Sequence, residues 1–200
     1  YDGADRITAV AITTDDGSTP VATTATDYDP TTGNVTATRA GTTTITRGYD
    51  QLGRVLTYTD ADGAITSSQF DRYGKPTKVT DPTGSQTFTY DRAIEPRGML
   101  TSVTDSIAGT FTARYSPDGQ LVKTTYPGGL TRTDTLDANF TATGRTYTRD
   151  SDGAIIFAES VVANTAGQQT RHTFTGGQHT YRYDTLGRLI QATTDTPTTG

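Results

Sequence analysis

The sequence of 200 residues has a formal net charge of −5 and contains no cysteine and no tryptophan. The absence of cysteine excludes disulfides and thiolate metal sites, and an acidic chain without a Lys/Arg cluster is poorly suited to bind nucleic acid or an anionic membrane surface. With 47 Thr and 11 Tyr, residue types that favour half-buried strands, the sequence predicts an ordered, Thr-rich β protein.

A short motif recurs along the chain: an aromatic residue, Asp, two or three variable residues and Gly, often followed by Arg. A loose copy begins at Tyr1, a copy with one extra residue begins at Tyr28, and looser or degenerate copies begin at residues 90, 136 and 162. The residues assigned to the better copies are Tyr49, Asp50, Gly53 and Arg54, then Phe70, Asp71 and Gly74, then Tyr115 and Gly119, and finally Tyr183, Asp184, Gly187 and Arg188. The unit starts lie near residues 1, 28, 49, 70, 90, 115, 136, 162 and 183. We interpret residues 1–200 as a single array of about nine such units, with no separate catalytic or toxin domain.

A second turn signal lies between successive motifs, at residues 60–63, 81–84, 127–129 and 150–153. Asp at the first corner of a type I turn accepts hydrogen bonds from the backbone just after it, and Gly near the end of the turn tolerates a positive φ. Two turns per unit leave strands of about 7 residues, a cadence typical of β-hairpins. We therefore predict an all-β fold of antiparallel β-hairpin repeats.

The predicted strands are only moderately apolar on both faces. In residues 54–60, for example, Leu56 and Tyr58 point to one face and the residues between them to the other. Such a sheet cannot bury a large core, so we expect its stability to come from backbone ladders, side-chain rows and contacts between neighbouring repeats. Roughly 17 strands would form one long curled ribbon, whose two open edges would make the isolated chain prone to associate.

The Tyr-Asp-x-x-Gly-Arg units at residues 49–54 and 183–188, within a period of about 21 residues, resemble the YD repeats of Rhs proteins. The resemblance runs over essentially the whole chain. It implies a long β ribbon that spirals into a hollow shell, as in bacterial polymorphic toxins, toxin-complex cocoon subunits and the related teneurin shells. In the toxins the shell encloses a C-terminal effector domain until delivery. The resemblance thus implies a structural role, with the remaining repeats and a passenger domain of a longer polypeptide as partners.

Two features of that family are not recognisable in this sequence. The first is the core segment in which an Asp-Pro-x-Gly motif positions an aspartate-based self-cleavage. Residues 81–84 read Asp-Pro-Thr-Gly, but they lie in mid-array and in phase with ordinary turns, so we interpret them as a plain turn. The second is an effector domain, because the last unit runs into residues 193–200, where residues 195–197 suggest one more turn.

The two ends of the chain and its composition favour a piece of a longer protein. Tyr1 opens the sequence without an initiator Met or a secretory leader. The longest apolar run, residues 154–158, is too short to cross a bilayer, so no membrane insertion is predicted. We expect the parent protein to be bacterial and either secreted or located at the cell surface.

Few residues suit catalysis or metal binding. His172 and His179 flank a Gly-Gly turn and could bind a metal if they faced each other, but spacing fixes no third ligand, so exposed strand histidines are the expected arrangement. Paired Asp residues in the turns are explained by turn stabilisation, and no phosphate-binding loop is present. We predict no catalytic residue, no metal site and no cofactor. An enzyme would require a pocket near residues 95–98 or 172–179, which we interpret instead as loops that accommodate a bend.

Threonine runs suggest an alternative function. Residues 42–46, for instance, could offer ordered hydroxyl groups to a glycan or to ice, whereas the simpler explanation is that Thr fills solvent-facing strand positions. The alternative to the shell is therefore a cell-surface adhesin or carbohydrate-binding β-repeat array, with glycans as partners. Asn-x-Thr triplets at Asn34 and Asn139 match the glycosylation pattern, but such triplets are frequent by chance in so Thr-rich a chain and do not settle the source of the protein.

Overall fold

The computed structural model of the chain describes residues 1–17 and 22–196, and these residues form seventeen β-strands and no helix. The strands are β1 Ala9–Val10, β2 Thr24–Tyr28, β3 Val35–Ala40, β4 Thr43–Tyr49, β5 Val55–Thr59, β6 Ile65–Phe70, β7 Pro76–Asp81, β8 Gly84–Thr89, β9 Ser102–Asp105, β10 Gly109–Tyr115, β11 Leu121–Tyr126, β12 Leu130–Leu136, β13 Ala142–Arg149, β14 Ile155–Ala163, β15 Gln169–Phe174, β16 Gly177–Tyr183 and β17 Leu189–Asp195. They are members of one antiparallel sheet, which confirms the predicted all-β fold of β-hairpins. With no helix in these residues, the described chain has none that could cross a membrane.

The backbone divides into two compact units. The first comprises residues 1–88 with residues 105–107. In it, β1 to β8 follow one another in space as in sequence, each pairing antiparallel with the next. The pairs Thr46–Thr59 and Thr57–Ser67 show the register on either side of β5.

The second unit comprises residues 89–104 and the chain from residue 108 onward. Strands β10 to β17 again pair antiparallel in sequence order, so this unit is built from the same hairpin repeat. The end of the predicted array, residues 197–200, lies outside the described residues, and with it part of the turn predicted at residues 195–197.

A β-bulge recurs at one place in the repeat: the register shifts directly before the aromatic position of the motif, and the extra residue, such as Leu56, lies on the strand that follows the turn. Seven strand pairs shift register there, at residues 27/28, 48/49, 69/70, 114/115, 135/136, 162/163 and 182/183. A bulge of this kind follows a type I turn that ends in a residue with positive φ, and it increases the local twist of the strands. The bulges therefore mark the ends of the hairpins that carry the motif.

The sheet buries almost no apolar side chain. Ala37, at 5% exposure, is the one buried hydrophobic residue in the described part of the chain, whereas Glu95, Thr101, Ser116 and Thr131 are buried and polar. Among the described residues, no buried side-chain nitrogen or oxygen lacks a hydrogen-bond partner. Backbone ladders and polar contacts therefore hold the structure together, as expected for a sheet without a large core.

Candidate functional site in the Tyr-Asp turns

The turn at residues 49–54 is closed by a single carboxylate. Asp50 Oδ1 accepts hydrogen bonds from the backbone N–H of Leu52, at 2.8 Å, and of Arg54, at 3.0 Å. The Asp50 N–H donates to the Arg54 carbonyl, and the Asp50 carbonyl accepts from the Gly53 N–H, both at 3.0 Å. Asp suits this position because its short side chain carries an acceptor oxygen within reach of both amides.

The same turn recurs in every unit. A side-chain oxygen at the Asp position accepts from the second and fourth following amides in six turns, those of Asp2, Asp50, Asp71, Asp137, Asn164 and Asp184. The turns of Asp29, Asp91 and Ser116 keep at least one such contact. We call all nine of these segments Tyr-Asp turns, because the degenerate copies adopt the arrangement of the clear ones.

The unit assigned a start at residue 162 has its turn one residue later. Asn164 occupies the Asp position, with its Oδ1 3.0 Å from the N–H groups of Ala166 and Gln168. The register shift between Val162 and Ala163 places Ala163 at the aromatic position. This turn forms without either signature residue because the Asn side chain presents the same acceptor oxygen as Asp.

The Gly position of the turn has a left-handed backbone. Gly53, Gly74, Gly119 and Gly187 have φ values of 77°, 84°, 89° and 79°. Asp5 and Phe140 occupy the same position with φ values of 58° and 62°. An L residue with a Cβ atom costs about 1–2 kcal/mol in this conformation, whereas Gly adopts it readily. The two turns without Gly therefore form at a conformational cost.

The residue after this position, which we call the linking residue, forms an ion pair with Asp in the clearest copies. Arg54 Nε lies 2.6 Å from Asp50 Oδ2, and Arg188 Nε lies 2.7 Å from Asp184 Oδ2. The Arg54 amide, followed by its guanidinium, holds the pKa of Asp50 below its usual value. The amide and guanidinium of Arg188 lower the pKa of Asp184 in the same way.

The tyrosine of the motif connects its turn to the preceding repeat. Tyr49 Oη donates to the Val35 carbonyl at 2.7 Å, and Tyr183 Oη donates to the Gln169 carbonyl at 2.8 Å. The hydroxyls of Tyr28 and Tyr115 make equivalent bonds, of 2.9 and 2.8 Å. Each acceptor lies near the start of the segment that follows the preceding Tyr-Asp turn. The hydroxyl therefore fixes the distance between two successive repeats.

The linking residue connects its turn to the following repeat. The Arg54 guanidinium lies 4.6 Å from the centroid of the Phe70 ring, and its Nη1 donates to the Asp71 carbonyl at 3.4 Å. Arg6 lies 4.5 Å from the centroid of the Tyr28 ring. A cation over an aromatic face is attracted by the ring quadrupole. The aromatic position therefore receives the arginine of one repeat and, where it is Tyr, donates back to that repeat.

In two repeats of the second compact unit, a glutamine takes the position of the linking arginine. Gln120 Nε2 donates to the Phe140 carbonyl, and Gln168 Nε2 donates to the Gly187 carbonyl, both at 2.8 Å. Both acceptors lie in the next Tyr-Asp turn. A motif written with Arg does not find these residues. Their position directly after the turn glycine, as in Gly119-Gln120, is the signal that could have found them.

The irregular repeat at residues 90–100 is connected to the next repeat by Arg97, which pairs with Glu95 instead of with the Asp of its turn. Arg97 Nε and Nη2 lie 2.6 and 2.8 Å from the two carboxylate oxygens of Glu95. The same guanidinium donates to the carbonyls of Ser116, at 2.9 Å, and Pro117, at 2.6 Å, in the next turn. Glu95 is only 6% exposed, and its bond to Arg97 holds the pKa of its carboxyl below the usual value. The segment interpreted as a bend loop thus carries an inter-repeat link.

The turn at Asp60, at the opposite end of its hairpin, shares the backbone geometry of the Tyr-Asp turns. Asp60 Oδ1 accepts from the N–H groups of Asp62, at 3.0 Å, and Ala64, at 2.9 Å. Asp81 Oδ1 accepts from the N–H groups of Thr83, at 2.7 Å, and Gly84, at 2.9 Å, so residues 81–84 form a turn, but a tighter one in which Asp81 and Gly84 are cross-strand partners. The Asp-x-x-Gly pattern therefore shapes a turn, while the Tyr and Arg of the full motif connect repeats.

The two histidines face each other across β15 and β16. His172 and His179 are cross-strand partners, with ring centroids 6.1 Å apart, and both are half-buried rather than exposed. His172 Nε2 lies 3.2 Å from Glu159 Oε2, and His179 Nδ1 lies 2.9 Å from Thr194 Oγ1. Within residues 1–17 and 22–196, no three His, Cys, Asp or Glu side chains form a group that could hold a metal ion.

One face of the second unit carries a row of aromatic rings. Ring centroids are separated by 6.0 Å between Phe111 and Tyr126, 6.5 Å between Tyr126 and Tyr147, and 6.2 Å between Tyr147 and Phe157. These rings belong to β10, β11, β13 and β14 and are all half-buried. Aromatic pairs at such separations add to the stability of cross-strand packing.

An ion triad lies on the same face. The side chain of Asp134 is 7% exposed and is bonded by Arg132 and, at 2.8 Å, by Arg145 Nε. The two guanidinium groups, Arg132 foremost, hold the pKa of Asp134 below its usual value, and Asp134 in turn raises the pKa of Arg132. Three charged side chains thereby satisfy one another across β12 and β13.

The opposite face carries rows of hydroxyl groups. Cross-strand partners there include the series Thr112, Thr125, Thr131 and Thr148 in the second unit. The first unit, considered by itself, contains a separate cross-strand series of hydroxyl residues, Thr57, Ser67, Thr80 and Ser85. The hydroxyl oxygens of Thr125 and Thr131 lie 3.3 Å apart. Alternation along each strand therefore separates a hydroxyl face from an aromatic and ionic face in the second unit.

Comparison with known proteins finds structural likeness only. No family model and no curated protein matches the chain. The crystal structure of TcdB2-TccC3-TEV matches at 17% identity with a TM-score of 0.44, covering 99% of this chain and 14% of that chain. The Photorhabdus luminescens Tc holotoxin pore matches at 14% identity with a TM-score of 0.39, covering 91% of this chain and 16% of that chain. A porin-like protein from Bacteroides uniformis matches at 15% identity with a TM-score of 0.36, covering 86% of this chain and 88% of that chain. This chain spans only 14% of the length of the first of these proteins.

Proposed function

We propose that this chain is a wall segment of an Rhs-type, YD-repeat shell that encloses and delivers a C-terminal passenger polypeptide. Its role is structural rather than catalytic, and the parent protein acts outside the cell or at its surface. The observation that carries the proposal is the two-way connection at the Tyr-Asp turns. Tyr49 bonds backward to Val35, and Arg54 reaches forward to Phe70 and Asp71.

Links of this kind suit a wall that must be long and thin. Because residues 1–17 and 22–196 include a single buried hydrophobic side chain, a core contributes little, and each repeat is stabilised mainly by its neighbours. Connections through turn carbonyls, tyrosyl hydroxyls and guanidinium groups recur with every unit. They also tolerate substitution, as the Gln120 and Arg97 links demonstrate. Such a wall can be extended by adding repeats.

The hydroxyl face supports an enclosing role. Rows such as Thr57, Ser67, Thr80 and Ser85 place short polar side chains next to one another on four adjacent strands. A passenger with exposed apolar segments gains little by adhering to such a surface. A wall with this face towards its contents would confine a passenger without binding it tightly.

The test uses the complete natural polypeptide that contains this chain. Limited proteolysis should leave the segment beyond the repeats uncleaved while the repeats are folded. The double variant Arg54→Ala with Arg97→Ala should expose that segment by weakening two inter-repeat links. Arg171→Ala, which changes an exposed arginine of β15, is the matched control. Cleavage of the segment at the same rate in folded and denaturant-unfolded protein would contradict enclosure.

A carbohydrate-binding array is the second candidate, and the aromatic row favours it. The rings of Tyr126 and Tyr147 are stacked, with an interplanar angle of 28°, and both are partly accessible. Flat, partly exposed rings in a row can pack against the apolar faces of sugar units. Glycan binding that is lost in Tyr147→Ala, in protein that has no passenger, would favour this function over the shell.

A further inference from the structure

Two basic side chains lie directly opposite each other in the second unit. Arg114 of β10 and Lys123 of β11 are cross-strand partners. Both are exposed, and in the described part of the chain neither has an ion-pair, hydrogen-bond or ring partner. Like charges in this arrangement repel each other and destabilise a strand pair. We call these two residues the cation pair.

No carboxylate of the surrounding strands neutralises the cation pair. Strands β10 to β13 contain five basic residues and a single acidic residue, Asp134. Asp134 lies on the opposite face of the sheet, where Arg132 and Arg145 already bond it. The chain as a whole has a net charge of −5, so this excess of positive charge is local. The counter-charge of the cation pair must therefore come from outside these strands.

Threonine hydroxyls border the cation pair. Thr112 and Thr125 are the next cross-strand partners on the same face, and Thr133 lies opposite Lys123 on β12. A hydroxyl group can donate a hydrogen bond to an oxyanion, and the planar set of N–H groups of Arg fits a carboxylate. This surface therefore offers a carboxylate two positive charges and three hydroxyl donors on adjacent strands.

We propose that the cation pair and its bordering hydroxyls form a docking site for an acidic segment of the passenger polypeptide. The inference rests on the proposed function, in which the hydroxyl face is turned towards the contents of the shell. The surroundings favour a polypeptide over a glycan or a nucleic acid, because sugar rings and bases pack on aromatic side chains. The aromatic row of this unit lies on the other face.

A contact of this kind is weak alone and effective within one polypeptide. Each exposed ion pair contributes little to affinity. A covalent connection to the wall, however, raises the effective concentration of the passenger to about the millimolar range, at which a weak site is occupied. The cation pair therefore orients one acidic segment without holding the whole passenger tightly.

A peptide of alternating Glu and Ser residues is the probe for the site itself. Added to the full 200-residue chain at low salt, it should bind saturably at millimolar concentration and shift the NMR signals of the amides of residues 112–114 and 123–125. Arg114→Gln combined with Lys123→Gln should weaken binding about tenfold, because both charges that attract the carboxylates are lost. Arg171→Gln is the charge-matched control, since this exposed arginine has uncharged cross-strand partners, and it should bind like the unchanged chain.

A zero-length cross-link tests the occupant in the complete natural polypeptide. A carbodiimide joins the Lys123 amine to a carboxylate in contact with it, and mass spectrometry identifies the residue that has been joined. We expect Asp or Glu residues of the segment beyond the repeats. The yield should fall in Arg114→Gln and stay unchanged in Arg171→Gln.

Three results would overturn the proposal. The first is no binding of the peptide, or equal binding of a peptide with Gln in place of Glu. The second is tighter binding of an oligogalacturonate or an oligothymidylate that depends on Arg114 and Lys123, which would make a glycan or a nucleic acid the occupant. The third is the absence of a cross-link from Lys123 to a segment that nevertheless resists protease. That last result would remove the docking site and leave the proposed enclosure intact.

Discussion

The turns at residues 49–54 and 183–188 share the same motif letters and differ in their surroundings. Their Arg–Asp contacts are 2.6 and 2.7 Å, and the φ values of Gly53 and Gly187 are 77° and 79°. Both tyrosines bond backward to a preceding strand. Only Arg54 reaches forward to a following aromatic ring. The comparison teaches that the six residues of the motif determine the shape of the turn, whereas a neighbouring repeat determines how much the turn contributes to the stability of the folded chain.

The largest difference in stability between the two turns is expected when the contact of Arg54 with the following repeat, which we call the forward link, is removed. Arg54→Ala should lower the free energy of unfolding by about 2 kcal/mol, because it removes a charge-assisted bond to Asp50 and the contact with Phe70. Urea unfolding followed by circular dichroism measures this change. If Arg54→Ala were no more destabilising than the same change at Arg188, the forward link would contribute nothing.

Substitution of the turn glycine should destabilise the turns at residues 49–54 and 183–188 equally. Gly53→Ala and Gly187→Ala should each destabilise by about 1–2 kcal/mol, because a Cβ atom is strained at these positive φ values whatever lies nearby. An added Cβ would meet Asn34 Nδ2 at 3.7 Å at Gly53 and Gln168 Nε2 at 3.1 Å at Gly187. The closer atom is the end of a flexible side chain that can move, so sterics add little in either turn. Thermal and urea unfolding of both variants check this equality. A large effect in one turn and none in the other would show that the turn shape is not locally determined.

The hydrogen bond from the tyrosine hydroxyl to the preceding repeat should contribute equally to the stability of the two turns. Tyr49→Phe and Tyr183→Phe each remove a hydroxyl that donates to a carbonyl at 2.7 or 2.8 Å. The expected loss is about 1 kcal/mol per variant, since the ring and its packing stay in place. Urea unfolding at matched pH measures it. Unequal losses would mean that the two tyrosines do not occupy equivalent environments.

Acid should weaken both turns through their carboxylates. The pKa values of Asp50 and Asp184 are held low in the folded chain by the amides and guanidinium groups of their turns. Their stabilisation is therefore complete above the ordinary carboxyl pKa and is lost as the pH falls through the lowered folded values. Urea midpoints from pH 7 downward should show the gap between the unchanged chain and Asp50→Asn closing in acid. A gap independent of pH would contradict the assigned role of the charge.

The smallest effect is expected at the exposed arginine. Arg188→Ala should change the free energy of unfolding by about 0.5 kcal/mol or less, because an exposed ion pair contributes little. The same urea measurement used for Arg54→Ala provides the comparison. A loss as large as that at Arg54 would show that the ion pair, rather than the forward contact, is the main stabilising interaction.

The turns and the fold class could be predicted from sequence because both depend on residues close together in the chain. Asp50 and Gly53 determine a turn by local hydrogen bonds and backbone conformation, and the spacing of such turns predicts the hairpins. The partners of the inter-repeat links could not be predicted. Gln120 and Arg97 bond to carbonyls about a repeat away, and no short-range pattern identifies those partners.

Strand register explains the other features of the structure that the sequence did not predict. The alignment of the hydroxyl rows depends on bulges that shift each strand by one residue, and their positions become visible only in the paired strands. For the same reason the unit assigned a start at residue 162 has its turn at Asn164. Phe140 was not expected in a left-handed conformation, because sequence gives no warning of a bulky residue at a Gly position.

Amide hydrogen exchange of the unchanged chain, resolved by NMR, tests most directly whether the clear and degenerate units adopt one common turn. The amides of Leu52 and Arg54 should be protected, and so should those of Ala166 and Gln168 in the turn that has neither the aromatic residue nor Asp. The amide of Gln51, which directly precedes Leu52 in the same turn, should exchange quickly in comparison. Unprotected amides at Ala166 and Gln168, beside protected ones at Leu52 and Arg54, would contradict a common repeat.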